Sequence, residues 1–148
     1  MKKKKKEIDI TIKRFTCTSE EYDYTCIEIM KNDNLLNEKC DNYFEIDDNI
    51  YTDDPNEQYK DQEIIMMQYA GLNKLSFSNG KVEQIKNYQI EHSISKDHGS
   101  SGSLIIVNSH KLKIIGIHCG KTKKNFNRGN FMKVILDDIQ TQFSRNLI

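Results

Sequence analysis

From residue 63 to residue 132 the chain is a succession of short apolar runs, each of strand length and most closed by a turn signal. They are Glu63–Tyr69, Leu75–Phe77 and Val82–Ile85 on either side of Asn79-Gly80, Tyr88–Ser93, Leu104–Val107, Leu112–Ile117 and Asn127–Met132. Runs of this length are too short for ordinary helices, so they argue for strands joined by tight turns. Asn79-Gly80, with Leu75 and Phe77 before it and Val82 and Ile85 after it, predicts a hairpin. Asn108–Lys111 predicts another, between Leu104–Val107 and Leu112–Ile117. The pattern then changes period. Met132, Ile135, Leu136, Ile139 and Phe143 fall on one face of an amphipathic helix, expected over about 134–144. The reading is a mostly antiparallel β protein, a closed or nearly closed barrel over about 63–134 followed by that helix.

The first half of the chain is less regular. Ile8, Ile10 and Ile12 alternate with polar residues, which predicts a half-buried strand running on through Phe15-Thr16-Cys17. Thr18–Glu21 reads as a polar turn, and Asp23 opens a second alternating strand that ends at Ile29. Residues 31–43 read as loop, and Phe44-Glu45-Ile46 as a short strand. Asp47–Gln62 carries acids, Asp54-Pro55 and no apolar period, so it reads as a connector on the surface.

Composition narrows the class. The chain has 148 residues, enough for one ordinary domain, with 30% charged residues and a mean hydropathy of −0.72. That polarity, with the apolar residues gathered into runs, implies a folded core with long polar loops. Lys+Arg and Asp+Glu both number 22. Zero net charge argues against a nucleic-acid partner. Lys2–Lys6 is a basic run with no aromatic residue among it, and it reads as a solvated tail. No run approaches membrane-spanning length, and Glu7–Thr11 is not the apolar core of a secretory signal. Cys17, Cys26, Cys40 and Cys119 include no C-x-x-C pair, so no zinc site is expected. A reduced, intracellular setting with free thiols is the default expectation.

One stretch carries chemistry: Asp97-His98-Gly99-Ser100-Ser101-Gly102-Ser103-Leu104-Ile105-Ile106. Glycines bracketing serines let the backbone adopt angles other residues resist. Such a turn can expose a hydroxyl and aim neighbouring N–H groups into one small space, as acyl transfer requires. The plainer reading is a Gly/Ser hairpin loop. Read with Leu75–Val82, Tyr88–Ser93, Ile115-Gly116-Ile117-His118-Cys119-Gly120 and the strand after Asp23, the turn resembles that of trypsin-like serine peptidases. The nearest look is to members of the glutamyl endopeptidase type. The resemblance covers roughly residues 20–140.

The resemblance implies a trypsin-like all-β fold: a partial N-terminal barrel over 1–46, a connector over 47–62, and a complete C-terminal barrel with its terminal helix over 63–148. It implies a serine endopeptidase acting through an acyl-enzyme on a peptide or protein substrate, with no cofactor and no metal. Ser101 would be the nucleophile, the N–H groups of Gly99 and Ser101 the oxyanion hole, and Asp23 the acid that orients the base. Ser95, Lys96 and His118 would line the substrate pocket, and His118 with Lys96 would favour an acidic side chain there. Leu104 stands where the family usually has proline, and Lys96 where glutamyl-type members carry Thr or Ser. The base is the gap. In the trypsin-like order histidine precedes aspartate, yet His92, His98, His110 and His118 all follow Asp23. The expectation is therefore a chain lacking the triad histidine and inactive by itself. A subtilisin-like order would admit His92 or His98, and a hydrolase-like order His110 or His118 with Asp137 or Asp138. Both need α/β folds that this strand-rich pattern does not suggest. A catalytically inactive peptide-binding or scaffold module is the alternative function. A third reading, an interaction protein with an unrelated β fold, rests on Lys2–Lys6 alone.

Overall fold

A computed structural model of the chain describes residues 8, 10, 11, 14–33, 43–69, 74–94, 100–122 and 126–145. Among the described residues there are nine strands: β1 (Thr16–Ser19), β2 (Tyr24–Ile27), β3 (Glu45–Ile46), β4 (Glu63–Gln68), β5 (Ser76–Lys86), β6 (Gln89–His92), β7 (Leu104–Val107), β8 (Lys113–Lys121) and β9 (Asn127–Phe131). Two α-helices join them, α1 (Pro55–Tyr59) and α2 (Met132–Arg145), with 3₁₀ turns at Lys31–Asp33 and Asp48–Tyr51.

Six strands close into an antiparallel barrel. Two three-stranded meanders, β4–β5–β6 and β7–β8–β9, are joined along both edges by the β4–β7 and β6–β9 pairings. Closure removes the sheet edges that an open sheet would expose. The protein is thus all-β, with a closed six-strand barrel and a C-terminal helix. β3 adds to the outside of the ring, parallel to β8. Alternation along the strands puts Ile64 and Met66, Val82, Ile90, Ile105, Ile115 and Phe131 out of solvent. Two polar rings share that interior, those of His92 and His118.

The turns differ from expectation at one place. Asn79-Gly80 is not a hairpin; β5 runs straight through it. A Cβ on Gly80 would lie 2.7 Å from the Ile94 backbone nitrogen, so glycine here serves close packing and not a turn. The chain reverses instead at Asn87-Tyr88, where φ is +51° and +59°. Two positive angles in a row define the type I′ turn that matches strand twist. Asparagine tolerates that region, whereas a tyrosine there is unusual.

The connector is also more structured than its sequence suggests. Asp47 and Asp54 each accept a backbone N–H at the start of a helical turn, from Asn49 and Glu57, and Pro55 takes the first helical position. These turns drive Ile50 and Tyr59 fully into the core. Tyr59 meets Phe131 edge to face at 5.7 Å.

Helix α2 forms as its spacing predicts, and buries Met132, Val134 and Ile135. It also carries the β1–β2 hairpin. Tyr24 Oη donates to Asp138 at 2.7 Å, and Phe15 packs edge to face on Phe143 at 5.1 Å. Arg14 grips Asp33 with two nitrogens at 2.6 and 2.7 Å, and donates to Glu28 O at 2.6 Å. The strand expected from Ile8 onward begins later: Ile8 and Ile10 lie in no strand, Ile10 is largely exposed, and Lys2–Lys6 fall outside the described residues.

Candidate functional site

The serine turn sits at the entrance to β7. Ser103 N–H donates to Ser100 O at 3.1 Å, closing a four-residue turn with Ser101 and Gly102 at its corners. Gly102 has φ +82°, the angle a type II turn requires at its third residue. The neighbouring serines are buried, whereas Ser101 is exposed. Its hydroxyl therefore faces solvent from a corner whose flanks are fixed.

Two sets of bonds hold that corner. On the inside, Ser100 Oγ donates to Gln68 Oε1 at 2.5 Å, and Gln68 Nε2 donates to Ser78 Oγ at 2.8 Å. Gln68 is nearly inaccessible, so these bonds satisfy an amide that burial would otherwise penalise. On the other side, Gly102 N–H donates to His118 O at 2.8 Å, and His118 N–H donates to Ser103 O at 2.8 Å. The structure thus ties the serine turn to the backbone of His118.

The ring of His118 points into the barrel and has no exposed surface. Its Nδ1 lies 3.1 Å from His92 Nε2, with the rings edge to face at 5.2 Å. One nitrogen of that contact must carry the proton and the other accept it, so the two imidazoles fix each other's tautomer. Along the chain the two histidines lie 26 positions apart, and nothing local links them. Their pairing follows from inward register positions on β6 and β8, strands that are not adjacent in the ring.

Asp23 occupies the tip of the β1–β2 hairpin, exposed and at φ +49°. The tip hangs from the barrel through Asn130, whose Nδ2 donates to Tyr22 O at 2.6 Å. Asn130 is the register partner of Ile117, next to His118 and its partner Gly129. The hairpin tip and the serine turn are therefore fastened to neighbouring positions of the β8–β9 ladder. Among the described residues, no hydrogen bond or ion pair joins Asp23 to Ser101. Gly99, Ser95, Lys96 and His98 lie outside the described residues.

Tyr24, Asp138 and Asp33, near the hairpin, have structural partners. Tyr24 holds Asp138 below the usual carboxylate range by donating to it. Burial, with that same bond, pushes the Tyr24 phenol up. Arg14 brings Asp33 down to about 2 through its hydrogen bonds. His110 is exposed in the turn after β7, a full strand away from Ser101.

Among the described residues, no three histidine, cysteine or acidic side chains converge as metal ligands. No helix among them is long and apolar enough to cross a membrane. No protein-family model matches the chain, and no curated protein matches it. What the described residues define is the class: an all-β barrel with a terminal helix and one exposed serine on a buttressed turn.

Proposed function

We propose that the protein is the barrel of a serine endopeptidase of trypsin-like type, with Ser101 as the residue acylated by a peptide or protein substrate. The observation that carries this reading is the serine turn: an exposed hydroxyl at a type II corner, buttressed by Gln68 and tied to His118, leading directly into a barrel strand. The closed barrel followed by a helix agrees with what the resemblance implies. Asp23 is then the orienting acid, and the N–H groups of Gly99 and Ser101 are the oxyanion donors. The base comes from none of the described histidines. His92 and His118 are engaged with each other inside the barrel, and His110 lies at the far end of β7. Ser95 and Lys96 are assigned to the substrate pocket, with a preference for an acidic side chain before the scissile bond that Lys96 would carry. The His118 ring is enclosed in the barrel against His92 and does not face a substrate.

The buried state of the His92–His118 pair also favours a second reading, in which the same turn binds peptides without cleaving them. Peptide-library incubation separates the two. Without added base, the expected result is no turnover. With imidazole in solution, the endopeptidase reading expects cleavage after acidic residues that Ser101→Ala abolishes. Binding of peptides with no Ser101-dependent cleavage at any imidazole concentration would favour the scaffold. Cleavage after Arg or Lys would overturn the pocket assignment.

A further inference from the structure

Cys17 and Cys26 face each other across the β1–β2 ladder in direct register. Two positions along, Glu28 N–H donates to Phe15 O at 3.0 Å. Antiparallel ladders alternate, so the Cys17–Cys26 pair is again a hydrogen-bonded one, with Cα atoms about 5.5 Å apart. That Cα spacing falls within the range of about 4.4–6.8 Å that a disulfide spans. The Cβ atoms of a hydrogen-bonded pair, at the wide end of about 4.5–5.5 Å, must draw together by up to about 1 Å on oxidation. Directly opposed residues share a face of the sheet, so both sulfurs lie on the same side of the hairpin. Both cysteines are thiols in the structure, Cys17 buried and Cys26 half-buried. Cys17 Sγ lies 3.9 Å from Tyr24 Oη, against the hairpin's contact with α2. Cys119 belongs elsewhere, on β8, where its thiol donates to Arg128 O at 3.6 Å.

We propose that Cys17 and Cys26 form a dithiol–disulfide site, oxidised by small-molecule disulfides of the glutathione type. The difference in exposure sets the order of events. The Cys26 thiolate attacks one sulfur of glutathione disulfide, forming a mixed disulfide and releasing one glutathione thiolate. Cys17 then gives its proton to solvent and attacks the Cys26 sulfur. The Cys17–Cys26 bond forms, the mixed disulfide breaks, and a second glutathione thiolate leaves and is protonated. Two protein thiols are oxidised and one small disulfide is reduced. Burial pushes the Cys26 thiol up, and the Cys17 thiol beside it adds to this, so the exchange is run at mildly alkaline pH. The product is a stapled hairpin with the Glu20–Asp23 tip inside its loop. The site stands whether or not Ser101 is a nucleophile.

The test uses the whole chain, incubated with glutathione disulfide, quenched in acid, alkylated and digested with trypsin. No Lys or Arg lies between Arg14 and Lys31, so one peptide, 15–31, carries both cysteines. The expected peptide is unalkylated and two hydrogens lighter. Cutting it after Glu20 or Glu21 leaves two pieces that separate only on reduction. In Cys17→Ser the expected product is a lasting glutathione adduct on Cys26. If that variant does not fold, the wild-type map decides alone. A wild-type peptide bearing two alkyl groups after oxidation, a lasting glutathione adduct on wild-type Cys26, or Cys26 joined to Cys40 or Cys119 would each overturn the proposal.

Discussion

The barrel and the β1–β2 hairpin are held by different forces. In the barrel, pairing closes a full ring and the interior is filled mainly by aliphatic side chains and Phe131. The hairpin has two short strands and one ladder, and beside the buried Cys17 and Tyr24 and the Phe15–Phe143 contact it relies on polar anchors: Arg14 to Asp33, Tyr24 to Asp138, and Asn130 to Tyr22. The two kinds of construction fail differently. A packed interior responds to lost volume, whereas a polar attachment responds to lost charge or lost partners. The exposed Ser101 is presented by the first kind, and Asp23 by the second. The serine turn is tied to the barrel backbone at His118 as well as through Gln68, whereas the hairpin tip that carries Asp23 is tied to the barrel through the Asn130 side chain.

That contrast is open to attack by mutation. Phe131→Ala removes a fully buried ring from the barrel and its contact with Tyr59. The expected loss is about 3–5 kcal/mol in urea unfolding, enough to threaten the whole domain. A loss confined to the helix, with barrel signals intact, would break the account of the core. Ser100→Ala leaves the buried Gln68 carbonyl without its donor. About 1–3 kcal/mol should be lost, and the turn loosened with it. Gln68→Leu in the same background should recover part of that loss, because it removes the orphaned acceptor.

The hairpin responds to acid. The folded pKa of Asp33, about 2, lies below the value of about 3.9 of a free aspartate. Its contribution is present above the unfolded value and disappears as pH falls through the folded one. Wild type should thus protect the 14–33 amides better than Asp33→Asn at pH above about 4, and the difference should shrink through about pH 2 and close near about pH 1. Hydrogen exchange, corrected for intrinsic rates, checks this. A difference that persists unchanged across the window would remove Asp33 as the hairpin's anchor. The smallest effect belongs to Ser101→Ala, which should change stability by no more than about 0.5 kcal/mol because the side chain is exposed.

The same contrast explains what the sequence reveals. Strands β4, β6, β7, β8 and β9 are legible because burial on one or both faces writes itself into strand-length apolar runs. Helix α2 is legible from its spacing. Asn79-Gly80 misleads because glycine serves turns and close packing alike, and the contact with Ile94 is invisible along the chain. The Asn87-Tyr88 turn carries no glycine to announce it. The cap residues Asp47 and Asp54-Pro55 are readable signals of helical turns, but these elements are too short to show an apolar period. The exposed serine turn is legible as a motif. The pairing of His92 with His118, and the buttress from Gln68 to Ser100, depend on closure of the ring and leave no local trace. Ile8 and Ile10 show the opposite error, an alternation that forms no strand among the described residues.

The central claim is that Ser101 is the nucleophile and that its base is not among the described histidines. Fluorophosphonate labelling with site-resolved mass spectrometry tests it most directly. The expected result is negligible adduct on the chain alone, an adduct at Ser101 that grows with added imidazole, and none in Ser101→Ala. Adducts spread evenly over several serines, or an unlabelled Ser101 at every imidazole concentration, would contradict the nucleophile assignment. Strong Ser101-dependent labelling without imidazole would contradict the missing base.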